Sequence, residues 1–205
     1  MIFENKITDN KTAFLEKVKL ISKRLDINPE WLMAAMFIES NFKNSAVNEI
    51  GAIGLIQFLP STYTGMGYSK NEMITMSNVE QLNVVYKFLK PFSGKIKSYT
   101  DLHTVIFFPK ATEFKDNQPF EYGSLTAEKV ALANKQIDLN SDKQITKKEF
   151  AEFLQQRFET NSDLTKNEIN RLFDKGIYSK EAKLITLSLV FIGGLYASYL
   201  NLKNK

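Results

Sequence analysis

The chain has 205 residues, of which 43% are hydrophobic and 12% aromatic, a composition typical of a globular protein with one sizeable core. Its 27 Lys and Arg residues exceed its 23 Asp and Glu residues by a formal charge of +4, and the two signs alternate along the chain. Because no basic run or stripe occurs, nucleic-acid binding is disfavoured. The absence of cysteine excludes a disulfide framework and thiol catalysis.

The N-terminal part of the chain predicts two consecutive helices. Residues 9–25 carry apolar side chains at helical spacing, and Asp9 or Asn10 can cap this helix. Asn28 and Pro29 mark a second start, and the run after them is apolar on all sides, which predicts a helix central to the core. The first residues lack a basic stretch followed by an apolar run, so we expect no secretory signal peptide.

The middle of the chain predicts a loop and then further helices. Residues 41–60 contain glycines that interrupt helical periodicity, which indicates a loop with short extended structure, and Pro60 begins a new helix. A capping box at residues 77–80 opens a helix that Pro91 ends. Shorter helices are predicted at about 100–108, 126–135, 150–158 and 163–173. Since no long strand and no internal repeat is evident, the predicted class is mostly α with a small β element.

An apolar segment near the C-terminus is long enough to cross a membrane. No charged residue occurs from Leu184 to Leu202, and lysines lie outside both ends. About 20 helical residues match a hydrocarbon core of about 30 Å. Tyr196 and Tyr199 fit interfacial anchors. The alternative is a fully buried core helix, which the Gly193–Gly194 pair favours. We expect a membrane-spanning or membrane-anchoring helix, and the lysines on both sides do not define its orientation in the membrane.

One acid stands at the end of the apolar second helix and is followed by a glycine-punctuated turn. Glu39 is this acid, and Gly51 and Gly54 punctuate the turn. A general acid must be protonated near neutral pH, and burial among apolar side chains raises the pKa of a carboxyl. The arrangement therefore suits a buried general acid beside a cleft. The alternative is an ordinary helix-end carboxylate, with glycines that only form turns.

Residues 29–63 resemble the catalytic segment of the lysozyme-like soluble lytic transglycosylases. The family pattern is Glu-Ser-x-Phe, then Ala-x-Ser or Asn, then Gly-Ala-x-Gly-Leu-x-Gln-Phe-x-Pro-x-Thr. The matching residues are Glu39-Ser40-Asn41-Phe42, Ala46-Val47-Asn48 and Gly51 through Thr62. Three downstream segments also resemble a bacteriophage group of this family, over about the first 155 residues: Gln81-Leu82, Asp101-Leu102 and Phe108-Pro109.

The resemblance implies a lysozyme-like fold and a glycan cleavage that uses one carboxyl. Glu39 would protonate the leaving oxygen and then act as base, while the C6 hydroxyl of the substrate attacks the anomeric carbon to give a 1,6-anhydro product. By the same resemblance Ser40 and Gln57 bind the sugar or position Glu39, and Asn48 and Phe58 complete the predicted substrate-binding set. Asn48 stands where many relatives have Ser. The Ala-Tyr-Asn segment of the family has no clear counterpart here.

A second motif, at residues 138–149, has the spacing of a calcium-binding loop. Oxygen-bearing side chains fall at positions 1, 3, 5, 9 and 12, and a main-chain carbonyl serves position 7. Lys143 replaces the Gly expected at position 6, which strains the turn and brings a positive charge near the ion. The alternative is a metal-free polar loop that ends in a capping box. The predicted ligands are Asp138, Asn140, Asp142, Gln144 through its carbonyl, Thr146 and Glu149.

These patterns together predict a mostly α, lysozyme-like (α+β) domain with a small β element and a C-terminal apolar helix. We place this domain, with the loop 138–149, at residues 1–158. A helical connector follows at 159–179, and a membrane-anchoring helix at 180–205. The predicted Ca²⁺ is structural, and catalysis needs no cofactor. The single histidine, His103, is expected to be a packed or surface residue, and zinc is disfavoured.

The predicted function is that of a peptidoglycan lytic transglycosylase that cleaves the β-1,4 bond between N-acetylmuramic acid and N-acetylglucosamine. We expect it to be membrane-associated, to be carried by a phage virion and to open the cell wall during entry. The expected partners are peptidoglycan strands, a lipid membrane through residues 184–202 and other virion proteins, without nucleic acid. One alternative is a hydrolase (muramidase) of the same fold in which Glu49 activates water. Another is a non-catalytic glycan-binding or structural membrane component.

Overall fold

The structure, a computed structural model, describes residues 1–173, which form nine α-helices joined by loops and short 3₁₀ turns. Their contacts divide them into two units, residues 1–97 and residues 98–173. The helices of the first unit are α1 (Lys11–Leu25), α2 (Pro29–Ser40), α3 (Pro60–Gly65), α4 (Lys70–Thr75) and α5 (Asn78–Leu89). Those of the second are α6 (Tyr99–Phe107), α7 (Ala127–Ala133), α8 (Lys147–Asn161) and α9 (Lys166–Phe173).

In the first unit α2 is buried along most of its length. Every side chain from residue 32 to residue 36 has no exposed surface, as the apolar sequence predicts. The helix α1 packs on α2 and on α5. Its own buried face is formed by apolar side chains at helical spacing: Phe14, Val18, Ile21 and Leu25. These contacts place α2 in the core.

Local capping signals begin the helices that the sequence predicted. The Asn28 side chain accepts a hydrogen bond from the Glu30 amide at 2.9 Å at the start of α2. At α5, the Glu80 amide donates to Ser77 Oγ at 3.2 Å, and the Ser77 amide donates to Glu80 Oε2 at 2.8 Å. Hydrogen bonds from Ser77 also hold the pKa of Glu80 below its usual range. Both predicted helix starts are confirmed.

The helices α8 and α9 begin three residues before and three residues after their predicted starts, and two further helix starts differ from the sequence prediction. The short helix α4 was not predicted, although Ser69 and Glu72 form a capping box at its start. The helix expected from about residue 100 begins at Tyr99, because the Ser98 hydroxyl accepts a hydrogen bond from the Asp101 amide at 3.0 Å. Both differences follow from Ser caps, which are weak signals where no long apolar run follows.

In the second unit α8 packs on α6 and α9 around a cluster of aromatic rings. Phe107 of α6 stacks on Phe150 of α8 with ring centroids 4.7 Å apart. Tyr99 meets Phe158 edge-on at 5.6 Å. His103 is fully buried in this cluster, and its Nδ1 lies 3.0 Å from the Tyr99 hydroxyl. The histidine is a packed residue, one of the two environments expected for it.

The mostly α class is confirmed for the described residues. Their extended structure is limited to isolated bridges, including Val47 with Ile53 and Ile53 with Phe58, so the small β element stays a prediction. No described helix is long and apolar enough to cross a bilayer. The predicted C-terminal helix at 180–205, with its apolar stretch 184–202, lies outside the described residues. Within the span 1–158, predicted as one domain, the contacts separate residues 1–97 from those that follow.

Candidate active site

Glu39 is the next-to-last residue of α2, and only 3% of its surface is exposed. The helix ends immediately after it, because Asn41 and Phe42 both take left-handed backbone conformations, with φ of 49° and 62°. Among residues 1–97, all of which the structure describes, Glu39 is the only buried carboxylate. The sequence therefore places one water-excluded carboxyl at a sharp change of chain direction.

Ser40 ties the end of α2 to the loop that follows. Its hydroxyl lies 3.2 Å from the carbonyl oxygen of Met36 and 3.0 Å from that of Leu55, both of which are acceptors. The side chain is buried. This geometry holds the loop against the residue next to Glu39, and the role predicted for Ser40 in positioning Glu39 stays a prediction. A direct contact with sugar stays a prediction.

The loop from residue 46 to residue 58 is folded back on itself by main-chain hydrogen bonds. Ile53 and Phe58 pair in both directions, at 2.9 and 2.8 Å, and the Gly54 amide donates to the Ala46 carbonyl at 2.9 Å. Gly51 and Gly54 have φ of 81° and 83°, conformations that other residues rarely adopt. The turn-forming role of both glycines is confirmed.

Asn48 is a half-exposed residue that organises the first half of this loop. Its side-chain Oδ1 accepts hydrogen bonds from the amides of Ile50 at 3.1 Å and of Ala52 at 2.9 Å. The Asn48 amide donates to the Ala52 carbonyl at 3.1 Å. An Asx-type turn of this kind explains why a short polar side chain stands here. The substrate-binding role predicted for Asn48 stays a prediction.

Gln57 is almost fully buried, with 5% of its surface exposed, and has a left-handed backbone with φ of 50°. Its Nε2 donates to the carbonyls of Gly54 at 3.1 Å and Ala46 at 3.4 Å. Its Oε1 is also buried and has no hydrogen-bond partner among the described residues. The amide group is thus oriented by its nitrogen and keeps one acceptor open. Phe58, beside it, is buried against the edge of Phe88 with ring centroids 5.8 Å apart.

The side chain that joins the loop to the rest of the unit is Gln81, in α5. It has no exposed surface, and its Oε1 accepts a hydrogen bond from the Leu55 amide at 2.6 Å. Its Nε2 donates to the carbonyls of Asn44 at 2.9 Å and Met73 at 3.0 Å. In the sequence, Gln81 is notable only as part of a segment that resembles the bacteriophage group. Its position just after the Glu80 capping residue, where an apolar side chain would be expected, was the available signal.

Gly54 permits this contact with Gln81. A Cβ atom added to Gly54 would lie 2.3 Å from Gln81 Oε1 and 2.6 Å from both Cδ and Nε2. Atoms do not approach that closely without displacement, so Gly54 is required both by its φ and by the space around it. The glycine spacing of the motif therefore reflects a close approach between the loop and α5.

Few carboxylates are available for glycan chemistry in this segment. Between residues 31 and 71 the only acids are Glu39 and Glu49. Glu49 lies on the loop and is exposed, whereas Glu39 is buried. Of the two, only Glu39 is shielded from water as a proton donor would be. The arrangement favours chemistry with one buried acid that gives and takes a proton.

The predicted calcium loop lies in the second unit, between α7 and α8. Asp138, Asp142 and Glu149 are brought together there, with a carboxylate oxygen of each within 4.8 Å of the others. Thr146 caps α8 through its hydroxyl, and Asn140 Oδ1 accepts from the Asp142 amide at 2.8 Å. Gln144 is exposed, and its amide donates to Asp142 Oδ1 at 2.9 Å.

Comparison with known families agrees with the geometry of the first unit. Residues 17–89 match the family described as Transglycosylase SLT domain. The match begins inside α1 and ends with α5, so it contains Glu39, the loop and Gln81, and it includes none of the second unit. No curated protein matches the chain. Residues 17–89 thus match an SLT domain, the domain of lysozyme-like lytic transglycosylases, and this match supports an enzyme that acts on peptidoglycan.

Proposed function

We propose that the protein is a lytic transglycosylase that cleaves the β-1,4 bond between N-acetylmuramic acid and N-acetylglucosamine, with Glu39 as its single acid and base. The observation that carries this proposal is the burial of Glu39. It is the only buried carboxylate of residues 1–97, it lies inside the matched segment, and Ser40 beside it is bonded to the loop. A mechanism with one acid fits this site better than one with two.

In the proposed reaction the Glu39 side chain acts twice, first as an acid that gives a proton and then as a base that takes one. The Glu39 carboxyl donates its proton to the glycosidic oxygen, the bond from that oxygen to the anomeric carbon of the muramic acid breaks, and positive charge develops on that carbon. The Glu39 carboxylate then takes the proton of the C6 hydroxyl of the same sugar. The C6 oxygen bonds to the anomeric carbon, which gives a 1,6-anhydro ring and restores the carboxyl.

Burial of Glu39 supports the intramolecular attack over hydrolysis. The residue is 3% exposed and follows a fully apolar stretch of α2, so water has little access to it. A C6 hydroxyl held in the same sugar has the advantage of proximity over a free water molecule. Exclusion of water also limits side reactions of the charged intermediate. Both effects favour an anhydro product.

Gln57 supplies a further element of the proposal. Its buried Oε1 has no partner among the described residues, while its Nε2 is fixed by two carbonyls. A buried acceptor without a donor is unfavourable. A sugar hydroxyl or amide that donates a hydrogen bond to it would therefore be bound in a defined orientation. We assign Gln57 to substrate binding on this ground.

Two rival functions make different use of the same residues. A muramidase would need a second carboxylate to activate water, and Glu49 is the remaining acid of the segment, but it is exposed on the loop. A non-catalytic glycan-binding protein would not need a buried carboxyl at Glu39. The burial of Glu39 and the exposure of Glu49 favour the transglycosylase over both.

The products of digestion distinguish these functions. Purified peptidoglycan is digested with the protein, and the released muropeptides are analysed by mass spectrometry. The proposal predicts fragments that end in 1,6-anhydro-muramic acid, which are lighter than reducing muropeptides by one water, and it predicts the same products from the Glu49→Gln variant. Reducing ends that disappear in Glu49→Gln would establish the muramidase, and no release of fragments would favour the glycan-binding protein.

We further infer that the protein acts from a membrane or a phage particle. The support is in the sequence: residues 184–202 are uncharged and flanked by lysines, and the Lys and Arg excess gives the chain a formal charge of +4. Such a segment would hold the enzyme at a lipid surface close to the wall. Delivery by a virion, with other virion proteins as partners, rests on the resemblance of the motif to bacteriophage enzymes.

A further inference from the structure

Three carboxylates of the loop at residues 138–149 converge outside the segment that matches the SLT domain. Asp138, Asp142 and Glu149 each offer an oxygen within 4.8 Å of the others. Like charges at this separation repel, and the repulsion is strongest where water is excluded. A bound cation would convert the repulsion into attraction.

The backbone of this loop is already wrapped around Asp138. Its Oδ1 accepts a hydrogen bond from the Asp142 amide at 3.1 Å, and its Oδ2 accepts one from the Lys143 amide at 3.0 Å. Asp142 Oδ1 in turn accepts from the Gln144 amide at 2.9 Å. The side chains at positions 1 and 5 are therefore held in place, which reduces the ordering cost of binding an ion.

Glu149, at position 12, gives an independent indication of a ligand. Only 8% of its surface is exposed. Its Oε2 accepts hydrogen bonds from the Thr146 amide at 3.1 Å and the Thr146 hydroxyl at 3.0 Å, but its Oε1 is buried and has no hydrogen-bond partner among the described residues. A buried carboxylate oxygen beside two acids, without a donor, is an unsatisfied acceptor that a bound cation would satisfy.

The structure also shows how Lys143 is accommodated at position 6, where the loop pattern has Gly. Lys143 takes a left-handed backbone with φ of 64°, so the turn is made as Gly would make it. Its Nζ donates to Glu128 Oε1, on α7, at 2.9 Å. The sequence predicted strain and a positive charge near the ion. The left-handed φ agrees with the predicted strain. The positive charge of Lys143 is paired with the carboxylate of Glu128.

The other end of the loop is tied to the core of the second unit. Ile145 is fully buried at position 8, and its carbonyl accepts a hydrogen bond from the Phe120 amide at 2.7 Å. The helix α8 begins two residues later, and its Phe150 stacks on Phe107. A change at Glu149 is therefore transmitted directly to the start of a core helix.

We propose that residues 138–149 bind one Ca²⁺ ion, which Glu149 coordinates through its buried Oε1, and that the bound ion stabilises the second unit through α8. Carboxylate and carbonyl oxygens at positions 1, 3, 5, 7 and 12 form the flexible oxygen cage that suits Ca²⁺, whereas Mg²⁺ demands a smaller octahedron. This site lies outside the SLT segment and does not rest on the function proposed for Glu39.

Calcium titration of the full chain tests this proposal. The protein is stripped of metal with EDTA, dialysed and titrated with CaCl₂ in a calorimeter, and its thermal unfolding is followed by circular dichroism with and without calcium. We expect one ion per chain, a thermal midpoint that rises with calcium, and weaker binding of MgCl₂. No binding heat and no change of midpoint up to millimolar calcium would overturn the proposal.

Charge-removing variants locate the site. Glu149→Gln removes the charge but keeps an acceptor for the Thr146 amide and hydroxyl. Asp142→Asn changes an exposed residue, so it tests the site even if Glu149→Gln fails to fold. Each is expected to weaken calcium binding at least about tenfold, since affinity depends on the number of charged ligands. The control Glu159→Gln, at the other end of α8, should bind as wild type. Unchanged binding in Asp142→Asn would contradict the proposed site.

Discussion

The contact between Gly54 and Gln81 fixes the loop that follows Glu39. Gln81 bonds the Leu55 amide and the Asn44 carbonyl, which lie on either side of the loop's tight turn. All of these groups are buried or half-buried, so the hydrogen bonds are shielded from water and their loss is costly. The position of the loop relative to α5 therefore depends on this amide side chain and on the glycine that leaves room for it.

Replacement of Gly54 by Ala should destabilise the protein by about 3 kcal/mol. About 1–2 kcal/mol comes from a left-handed conformation in a residue with a Cβ, and the remainder from displacement of Gln81. Gly67→Ala is the matched control, because Gly67 has φ of 86° but nothing lies within 4 Å of an added Cβ. It should lose only about 1–2 kcal/mol. Urea unfolding measures both changes.

The difference between the two glycine variants is the decisive quantity. If Gly54→Ala and Gly67→Ala lower the free energy of unfolding by the same amount, the close approach of Gly54 to Gln81 does not contribute to stability. In the Gly54→Ala/Gln81→Ala double variant the steric conflict is absent, so its loss should be smaller than the sum of the two single losses. An additive double variant would equally contradict the account.

Single residues differed in how well the sequence predicted them. Glu39 and both glycines were found because they lie in one short motif of characteristic spacing. The role of Gln81 was not, since its partners are 8, 26 and 37 residues away in the chain. Such contacts leave no local pattern. The open acceptor of Gln57 was also invisible in the sequence, because it depends on which carbonyls its nitrogen meets in the folded loop.

Helices were predictable where an amphipathic or apolar run coincides with a cap. The helix α2 has Asn28, Pro29 and a continuous apolar stretch, and α5 has its capping box, so both starts were predicted correctly. The short helix α4 has a capping box but only six residues, too few for a periodic pattern. The sequence predicted extended structure here in general terms but not the pairing of Ile53 with Phe58. This pairing is formed by a single tight turn, which has no periodic pattern.

The apolar segment 184–202 should decide whether the protein binds lipid. In flotation with vesicles of phosphatidylglycerol and phosphatidylethanolamine, the full chain is expected to float with the lipid at both low and high salt, because apolar insertion is insensitive to screening. A variant that ends at residue 179 should stay at the bottom of the gradient. Equal flotation of the two proteins, or release of the full chain by salt, would rule out anchoring by this segment.

At the scale of the whole molecule, the family match and the proposed chemistry both fall in the first unit, while the proposed calcium site falls in the second. The sequence indicated both sites from their motifs. It did not indicate the division after Lys97: Pro91, Ser93, Gly94 and Ser98 mark a turn there, but the division itself depends on which helices contact each other. The described residues thus hold two structural units with one candidate site in each.

The most direct test of the central claim is the activity of Glu39→Gln on purified peptidoglycan in the presence of calcium. Gln keeps the shape and polarity of the side chain but has no proton to donate. The account predicts that fragment release falls at least about 100-fold, as expected for loss of a general acid, while pelleting with peptidoglycan is unchanged. Glu16→Gln, which alters an exposed acid of α1, should retain full activity. Release by Glu39→Gln within a few-fold of wild type would contradict the account.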